Sequence, residues 1–251
     1  MSCRSCGQAN PPEARFCNGC GARLTAAPTV PEPRSYTPRH LVEKILTSKG
    51  ALEGERKPVT VLFADVVRSM ELAERLDPEE WHRLLDRLFR VLADGIHRFE
   101  GTINQYTGDG IMALFGAPIA HEDHALRACA AALELTRELG ALAAEVRRET
   151  GLDVTVRMGL NSGEVVVGRI GDDLRMDYTA QGHVVGLAAR VQQLAPPGGV
   201  TLTERTARLV SGFFDLLDRG EQSLKGASAP VRVFDLRGRG PIRNPLERSH
   251  P

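Results

Sequence analysis

Two aspartates lie where carboxylates could bind a divalent metal. Asp65 ends the apolar run Val61-Leu62-Phe63-Ala64, which predicts a buried strand. Aspartate is disfavoured in strands, so a carboxylate at this position needs a partner, and a divalent metal bound to phosphate is one such partner. Asp109 lies between two glycines at the predicted tip of a β-hairpin. An aspartate that only satisfies its own turn is the alternative for Asp109.

Four cysteines near the N-terminus have the spacing of a zinc site. Cys3, Cys6, Cys17 and Cys20 form C-x2-C-x10-C-x2-C, and a glycine follows each pair. Four thiolates around tetrahedral zinc make a closed structural site, and a segment of about 20 residues has no core without a metal. Two disulfides are the alternative. The spacing predicts one structural Zn²⁺ in a ribbon over residues 1–24, which resembles the short zinc ribbons of bacterial multidomain proteins.

A dense group of possible metal ligands occurs at His121, Glu122, Asp123 and His124. We interpret this segment as the start of a long helix, where acidic residues suit the positive end of the helix dipole. No metal is therefore expected there. Cys129 follows on an alanine- and leucine-rich stretch, which favours a small core residue over a nucleophile.

Strand and helix patterns alternate over the rest of the chain. Strands are predicted at residues 58–67, 102–107, 111–115, 154–160 and 164–169, and helices at residues 77–99, 121–148 and 182–194. The alternation of strands and helices, together with one tight hairpin, favours an α/β (α+β) sandwich of the ferredoxin-like kind. Its helices are expected on one face of the sheet.

The composition divides the chain into segments. Residues 25–39 are rich in Pro, Ala, Thr and Ser and predict an extended linker, and residues 40–52 predict a short amphipathic helix. We therefore expect a ribbon at 1–24, a linker with a short helix at 25–55, a main domain at 56–239 and a tail, or the start of a further linker, at 240–251.

Charge and hydrophobicity exclude several classes of protein. Lys plus Arg and Asp plus Glu both number 32, so no net charge draws the chain to nucleic acid or to an anionic membrane. The longest alanine- and leucine-rich stretch is interrupted by charges, so no membrane span is predicted. The N-terminus has no apolar segment of a secretory signal. A reducing, cytoplasmic location is therefore expected.

Over residues 56–238 the chain resembles the class III adenylate and guanylate cyclases, a family with a ferredoxin-like catalytic domain. The motifs that carry the resemblance are Phe63-Ala64-Asp65, Tyr106-Thr107-Gly108-Asp109-Gly110, His121-Glu122-Asp123-His124-Ala125, Arg157-Met158-Gly159-Leu160-Asn161-Ser162-Gly163, Tyr178-Thr179-Ala180-Gln181-Gly182, Leu187-Ala188-Ala189-Arg190 and Leu224-Lys225-Gly226.

The resemblance implies conversion of a nucleoside triphosphate to its 3′,5′-cyclic monophosphate and pyrophosphate. It implies that Asp65 and Asp109 bind two Mg²⁺ or Mn²⁺ ions and that Arg190 stabilises charge on the α-phosphate. The family builds each site from two subunits, so a homodimer is expected. Asp65 and Asp109 would come from one subunit, and Gln105, Thr179 and Arg190 from the other.

Further substrate contacts follow from the same resemblance. Lys225 and Arg175 would reach the phosphates, and the backbone amides of residues 66–69, beginning with Val66 and Val67, would cradle them at the start of the next helix. The base would be read by Gln105 and Thr179. Glutamine offers an amide donor and a carbonyl acceptor, so it suits adenine or guanine, with ATP expected in preference to GTP.

One departure from the family pattern bears on turnover. Four residues before Arg190 the family usually has an asparagine that orients the ribose, and this chain has Gly186. Loss of such a donor would lower the rate about a hundredfold if nothing replaces it.

Two other functions compete with an active cyclase. A nucleotide-binding regulatory or dimerisation module with little turnover would explain Gly186 and Gln105. Alternatively, the zinc ribbon carries the function by binding a protein or nucleic acid, and the cyclase fold is a scaffold for the dimer. Nucleic acid is disfavoured, because the ribbon's basic residues are only Arg4, Arg15 and Arg23.

Overall fold

The computed structural model describes residues 2, 6–9, 55–167, 183–225 and 229–241. The chain divides into two units, Met1–Ser35 and Tyr36–Pro251. In the first unit, Ser2 and Ala9 form an isolated antiparallel bridge, and Gly7 has a φ of 77°. A left-handed glycine directly after Cys6 gives the tight turn expected there. The other three ribbon cysteines, the linker and the helix predicted at 40–52 lie outside the described residues.

A seven-stranded sheet forms the centre of the second unit. Its strands are β1 (Glu55–Val66), β2 (Thr102–Tyr106), β3 (Gly110–Phe115), β4 (Val156–Val167), β5 (Val200–Thr203), β6 (Phe214–Gln222) and β7 (Val231–Arg239). Their order is β2-β3-β1-β4-β5-β7-β6, in which β4 and β5 are parallel and the other neighbours antiparallel. The first four strands have the order of a ferredoxin-like fold, which confirms the predicted fold class.

Five helices accompany the sheet within the described ranges. They are α1 (Ser69–Arg75), α2 (Pro78–Arg98), α3 (His124–Thr150), α4 (His183–Leu194) and α5 (Glu204–Leu209). The start of α2 is as predicted, because the Asp77 carboxylate accepts the N–H groups of Glu79 and Glu80 and Pro78 opens the helix. The start of α3 was predicted three residues too early. Asp123 is the N-cap residue of α3, but its carboxylate makes no capping hydrogen bond and accepts instead from Arg127 Nε at 2.6 Å.

The two faces of the sheet carry different helices. Alternate β1 residues such as Leu62 and Ala64 belong to the main apolar core, together with buried residues of α2 and α3. Val59 and Val61 point to the opposite face and cluster with Ala188 of α4. The prediction that all helices lie on one face is therefore wrong for α4. Both faces of β1 are apolar, so both need a cover.

One long strand replaces two predicted ones. β4 pairs with β1 over twelve consecutive positions, from Glu55 opposite Val167 to Val66 opposite Val156. We predicted a break at residues 161–163, where polar and glycine residues interrupt the apolar pattern. The pairing is nevertheless continuous, because Asn161 and Gly163 face α4 and Ser162 is buried on the other face of the sheet, so none of the three faces solvent. Among the described residues, no helix is long and apolar enough to cross a membrane.

Candidate active site

Backbone pairing brings the two predicted metal carboxylates to neighbouring strand ends. Asp65 lies opposite Gly110 in the β1–β3 register, and Val66 donates its N–H to the carbonyl of Asp109 at 3.2 Å. A Cβ at Gly110 would stand 2.2 Å from the carbonyl oxygen of Ala64, so the close approach requires glycine. Gly108, with a φ of 92°, completes the hairpin turn. Asp65 and Asp109 therefore border the same end of the sheet.

An arginine that sequence reasoning did not select faces this carboxylate. Arg157 is the β4 register partner of Asp65 and donates from Nε to Asp65 Oδ1 at 3.2 Å. Its Nη1 also donates to the carbonyl of Gln193 in the turn that ends α4, at 3.4 Å. Both side chains of the ion pair are about three-quarters buried, at 27% and 28% exposed. Arg157 thus connects the carboxylate of β1 to the C-terminal end of α4.

The donor set suits a hard divalent cation that shares its ligands with a substrate. Two carboxylates are available, and no group of three or more His, Cys, Asp or Glu side chains converges within the described ranges. Mg²⁺ is commonly held by one or two carboxylates, with the remaining ligands from water and substrate phosphates. Asp65 and Asp109 fit this arrangement.

The expected phosphate cradle is not formed by the first two amides after Asp65. The N–H of Val66 is donated to Asp109, as described above, and the N–H of Val67 is donated to the carbonyl of Thr155 at 2.8 Å. These amides stabilise the hairpin and the β1–β4 connection. The geometry argues against the expectation that Val66 and Val67 bind phosphate through their N–H groups.

The predicted catalytic arginine lies on α4. A Cβ at Gly186 would stand 3.0 Å from Arg190 Nη1, so the guanidinium lies along the helix over Gly186. This is the direction in which long helical side chains point, towards the N-terminus. Lys225 is exposed and directly follows Leu224, which clusters with Val191 of α4. The two basic residues therefore flank one small apolar cluster.

Of the two residues predicted to contact the base, Gln105 lies in the described part of the chain. Gln105 is exposed on β2 opposite Met112, whose partner on β1 is Phe63. Because side chains at paired positions share a face, Gln105 lies on the same face as Asp65 and α4. Thr179 and Arg175 lie outside the described residues.

The histidines and the cysteine for which no metal or catalytic role was predicted have structural surroundings inside the chain. His121 Nε2 lies 2.9 Å from Glu100 Oε2, and the buried His124 shares a hydrogen bond of 2.8 Å with Thr60 Oγ1. Cys129 is fully buried, and burial raises the pKa of its thiol to about 12. A thiol with that pKa is not a nucleophile at neutral pH.

Two family models match the chain. The adenylate and guanylate cyclase catalytic domain matches residues 53–238, and a zinc-ribbon domain matches residues 2–24. Among curated proteins, adenylate cyclase 1 of Rhizobium meliloti is 30% identical over 209 residues, which is 81% of this chain and 31% of that protein. This chain therefore spans less than a third of that relative.

Solved structures agree with the family models. The adenylyl cyclase CyaB from P. aeruginosa has a TM-score of 0.70 and 30% identity, over 74% of this chain and 96% of that one. A guanylyl cyclase crystal structure has the same TM-score and 33% identity, over 76% and 97% of the two chains. With its ferredoxin-like sheet, its paired strand-end aspartates and a family match over most of its length, this chain belongs to the adenylate and guanylate cyclase family.

Proposed function

We propose that the chain is an active nucleotide cyclase that converts ATP, in preference to GTP, to the 3′,5′-cyclic nucleotide and pyrophosphate. The proposal depends on one observation above all. Asp65 and Asp109 come from different strands but are brought together by the β1–β3 pairing, with Arg157 against the first of them. A purely structural sheet has no need of two carboxylates at this edge.

The reaction needs little covalent chemistry from the protein. The 3′-oxygen forms a bond to the α-phosphorus, the bond from that phosphorus to the bridging oxygen breaks, pyrophosphate departs with the bonding electrons, and the hydroxyl proton passes to solvent water. Two divalent cations held by Asp65 and Asp109 would supply charge neutralisation and a lowered pKa of the hydroxyl. The side chains described below bind and orient the triphosphate.

Each basic residue has a separate task in this proposal. Arg157 holds the Asp65 carboxylate in place before a substrate arrives. Arg190 donates hydrogen bonds to oxygens of the α-phosphate, where charge increases in the transition state. Lys225 contacts the terminal phosphates as a point charge, and Arg175 is assigned to the phosphates with it.

The nucleobase would be selected by Gln105 and Thr179. The amide of Gln105 is exposed on the face of Asp65, and either of its ends can pair with the edge of a base. A threonine hydroxyl likewise donates and accepts. These residues accept adenine and do not strongly reject guanine, so the preference for ATP should be small.

The direct test is turnover with purified protein. The wild type with Mn²⁺ and ATP should release cyclic AMP and pyrophosphate in equal amounts, and GTP should be used more slowly. Asp65→Asn and Asp109→Asn should each lower turnover at least about a thousandfold, because each removes a cation ligand. Asp94→Asn, at an exposed position of α2, is the matched control and should be as active as wild type. Equal activity in Asp65→Asn would contradict the proposal.

A nucleotide-binding regulatory module is the second candidate, and Gly186 is the observation that favours it. The position has no side chain to orient a ribose, and Arg190 occupies the space beside it. A wild type that binds ATP in the presence of Mn²⁺, but releases neither product, would support this candidate over the cyclase.

We also propose that the ribbon binds one structural Zn²⁺ through Cys3, Cys6, Cys17 and Cys20 and contacts a protein partner. Support comes from the zinc-ribbon match and from the left-handed Gly7 after Cys6. A reducing, cytoplasmic location keeps these thiols available. Elemental analysis of purified protein should find about one zinc per chain. Intact-mass evidence for two disulfides would contradict this.

A further inference from the structure

Four alternate residues of β4 face α4. Arg157, Gly159, Asn161 and Gly163 point to the same side of the sheet, because strand side chains alternate. A Cβ at Gly159 would stand 2.2 Å from the backbone nitrogen of Gln192 in α4. A Cβ at Gly163 would stand 2.6 Å from Cγ2 of Val184. The two glycines let the helix approach the strand closely, and Arg157 and Asn161 provide the polar contacts.

Asn161 makes the contact at the start of α4. Its Nδ2 donates to the carbonyl of Val184 at 2.9 Å, and its side chain is buried, at 3% exposed. Its Oδ1 accepts from the hydroxyl of Thr203 at 2.8 Å. The bond to the Val184 carbonyl fixes which end of the amide faces the helix, since only the nitrogen can donate to a carbonyl. A buried amide with both ends paired holds one orientation.

The anchored turn is the one on which the predicted catalytic guanidinium lies. Val184 is two residues before Gly186, and Arg190 Nη1 lies over Gly186. A movement of the first turn of α4 would therefore displace the surface that supports the guanidinium. Arg157 anchors the other end of the helix through the carbonyl of Gln193.

We propose that Asn161 is a positioning residue for Arg190. It fixes the first turn of α4 through Val184 and so determines where the guanidinium meets the α-phosphate. This inference rests on the proposed cyclase function for its catalytic consequence. The anchoring itself is independent of turnover.

Two variants distinguish the loss of the α4 anchor from a general loss of stability. Asn161→Asp keeps the shape and the acceptor for Thr203 but replaces the N–H donor to Val184 with a carboxylate. Ser162→Ala is the matched control. Ser162 is the next residue of β4, is 2% exposed, and bonds to Thr60 and Thr206 on the opposite face, away from α4.

Hydrogen exchange of the full chain is the first readout. At about pH 8, the backbone amides of α4 should exchange about tenfold faster in Asn161→Asp than in wild type. The exchange rates of α2 and α3 should stay unchanged. At about pH 5.5 the difference should shrink, because burial raises the pKa of the introduced carboxyl and its protonated form can donate to Val184. Ser162→Ala should lower the melting temperature without speeding exchange in α4 at either pH.

Steady-state kinetics is the second readout. Asn161→Asp should lower kcat about tenfold with a much smaller change in KM, because Arg190 acts mainly on the transition state. Unchanged α4 exchange in Asn161→Asp, equal loosening in Ser162→Ala, or an unchanged kcat would each overturn the proposal. A wild type without any turnover would contradict the cyclase function instead. The hydrogen-exchange data would still show whether Asn161 anchors the first turn of α4.

Discussion

The side chain of Arg157 forms an ion pair with Asp65, one of the two proposed metal ligands. The two groups are 3.2 Å apart and about three-quarters buried, so their pairing is screened less than a surface ion pair. A divalent cation that approaches Asp65 must displace this guanidinium or share the carboxylate with it. The cost of that exchange should be about 1 kcal/mol, the upper end for partly exposed pairs.

Arg157→Gln should therefore bind Mn²⁺ more tightly than wild type when no nucleotide is present. A loss of about 1 kcal/mol of competing interaction corresponds to about a fivefold lower Kd. Titration calorimetry or the spin-resonance signal of free Mn²⁺ measures it. Arg147→Gln removes an exposed ion pair with Asp153 and should leave the Kd unchanged. Weaker or equal Mn²⁺ binding by Arg157→Gln would contradict competition at Asp65.

Sequence reasoning selected Asp65 and Asp109 from their residue type, the hairpin glycines and the family resemblance, and their role as metal ligands stays a prediction. It did not identify Arg157, although the motif that contains it was recognised. Its role depends on the register that places it opposite Asp65, and register is a property of two strands together. The hydrogen bonds that the Val66 and Val67 amides donate to neighbouring segments could not be predicted for the same reason.

At the scale of elements, a local cap predicted the start of α2, whereas the continuity of β4 was missed. Asp77 and Pro78 give α2 a start that depends on neighbouring residues alone. β4 was predicted as two strands because Asn161 and Gly163 interrupt its apolar pattern. That interruption is the contact surface for α4, a tertiary feature that a periodicity cannot show. The glycines of β4 therefore indicate helix packing rather than a turn.

Two glycine substitutions should have opposite effects on stability. Gly159→Ala would place a Cβ 2.2 Å from Gln192 N and 2.3 Å from its Cα, so the strand and α4 must separate. We expect a loss of about 1–3 kcal/mol in the free energy of unfolding. Gly140→Ala, at an exposed α3 position with nothing within 4 Å, should gain about 0.5–1 kcal/mol. Urea denaturation measures both, and equal signs would refute close packing of α4 on β4.

At the scale of the whole molecule, a buried polar chain connects helices and sheet. His124 at the start of α3 bonds to Thr60, Thr60 to Ser162 at 2.8 Å, and Ser162 to Thr206 of α5 at 3.0 Å. Burial lowers the pKa of His124, and the nearby charges of Arg205 and His121 add to this against an opposing effect of Asp123. The folded protein therefore holds this ring neutral.

The neutral ring makes folding sensitive to acid. In the unfolded chain His124 binds a proton near its ordinary pKa of about 6.5, whereas the folded chain resists protonation. The unfolded state thus binds more protons, so stability falls as pH drops below about 6.5, by at most about 1.4 kcal/mol per pH unit from this residue. Urea midpoints between about pH 8 and pH 5 should decline less in His124→Gln than in wild type. His82→Gln, at an exposed α2 position, should retain the wild-type decline.

The direction of Arg190 agrees with the prediction that each site takes residues from two chains. Within one chain, Asp65 is joined by Arg157 to Gln193 at the C-terminal end of α4. The Arg190 guanidinium points the other way and lies over Gly186, seven residues before Gln193 and so about 10 Å along the helix axis. A nucleotide held by Asp65, as proposed, would therefore lie towards the end of its own α4 that is remote from the Arg190 guanidinium. The expected homodimer, in which α4 of the partner approaches, would supply the arginine instead.

Mixing two inactive variants tests this arrangement. Asp65→Ala and Arg190→Ala should each be nearly inactive alone. In a heterodimer of the two, one site carries both substitutions, while the other combines an intact Asp65 with an intact Arg190. Random exchange makes about half of the dimers heterodimeric with one good site each, so activity should approach about a quarter of wild type. Exchange is verified by pull-down through a tag on one variant, and wild type is assayed in parallel. Proven exchange without recovered activity, beside an active wild type, would show that each chain supplies its own arginine.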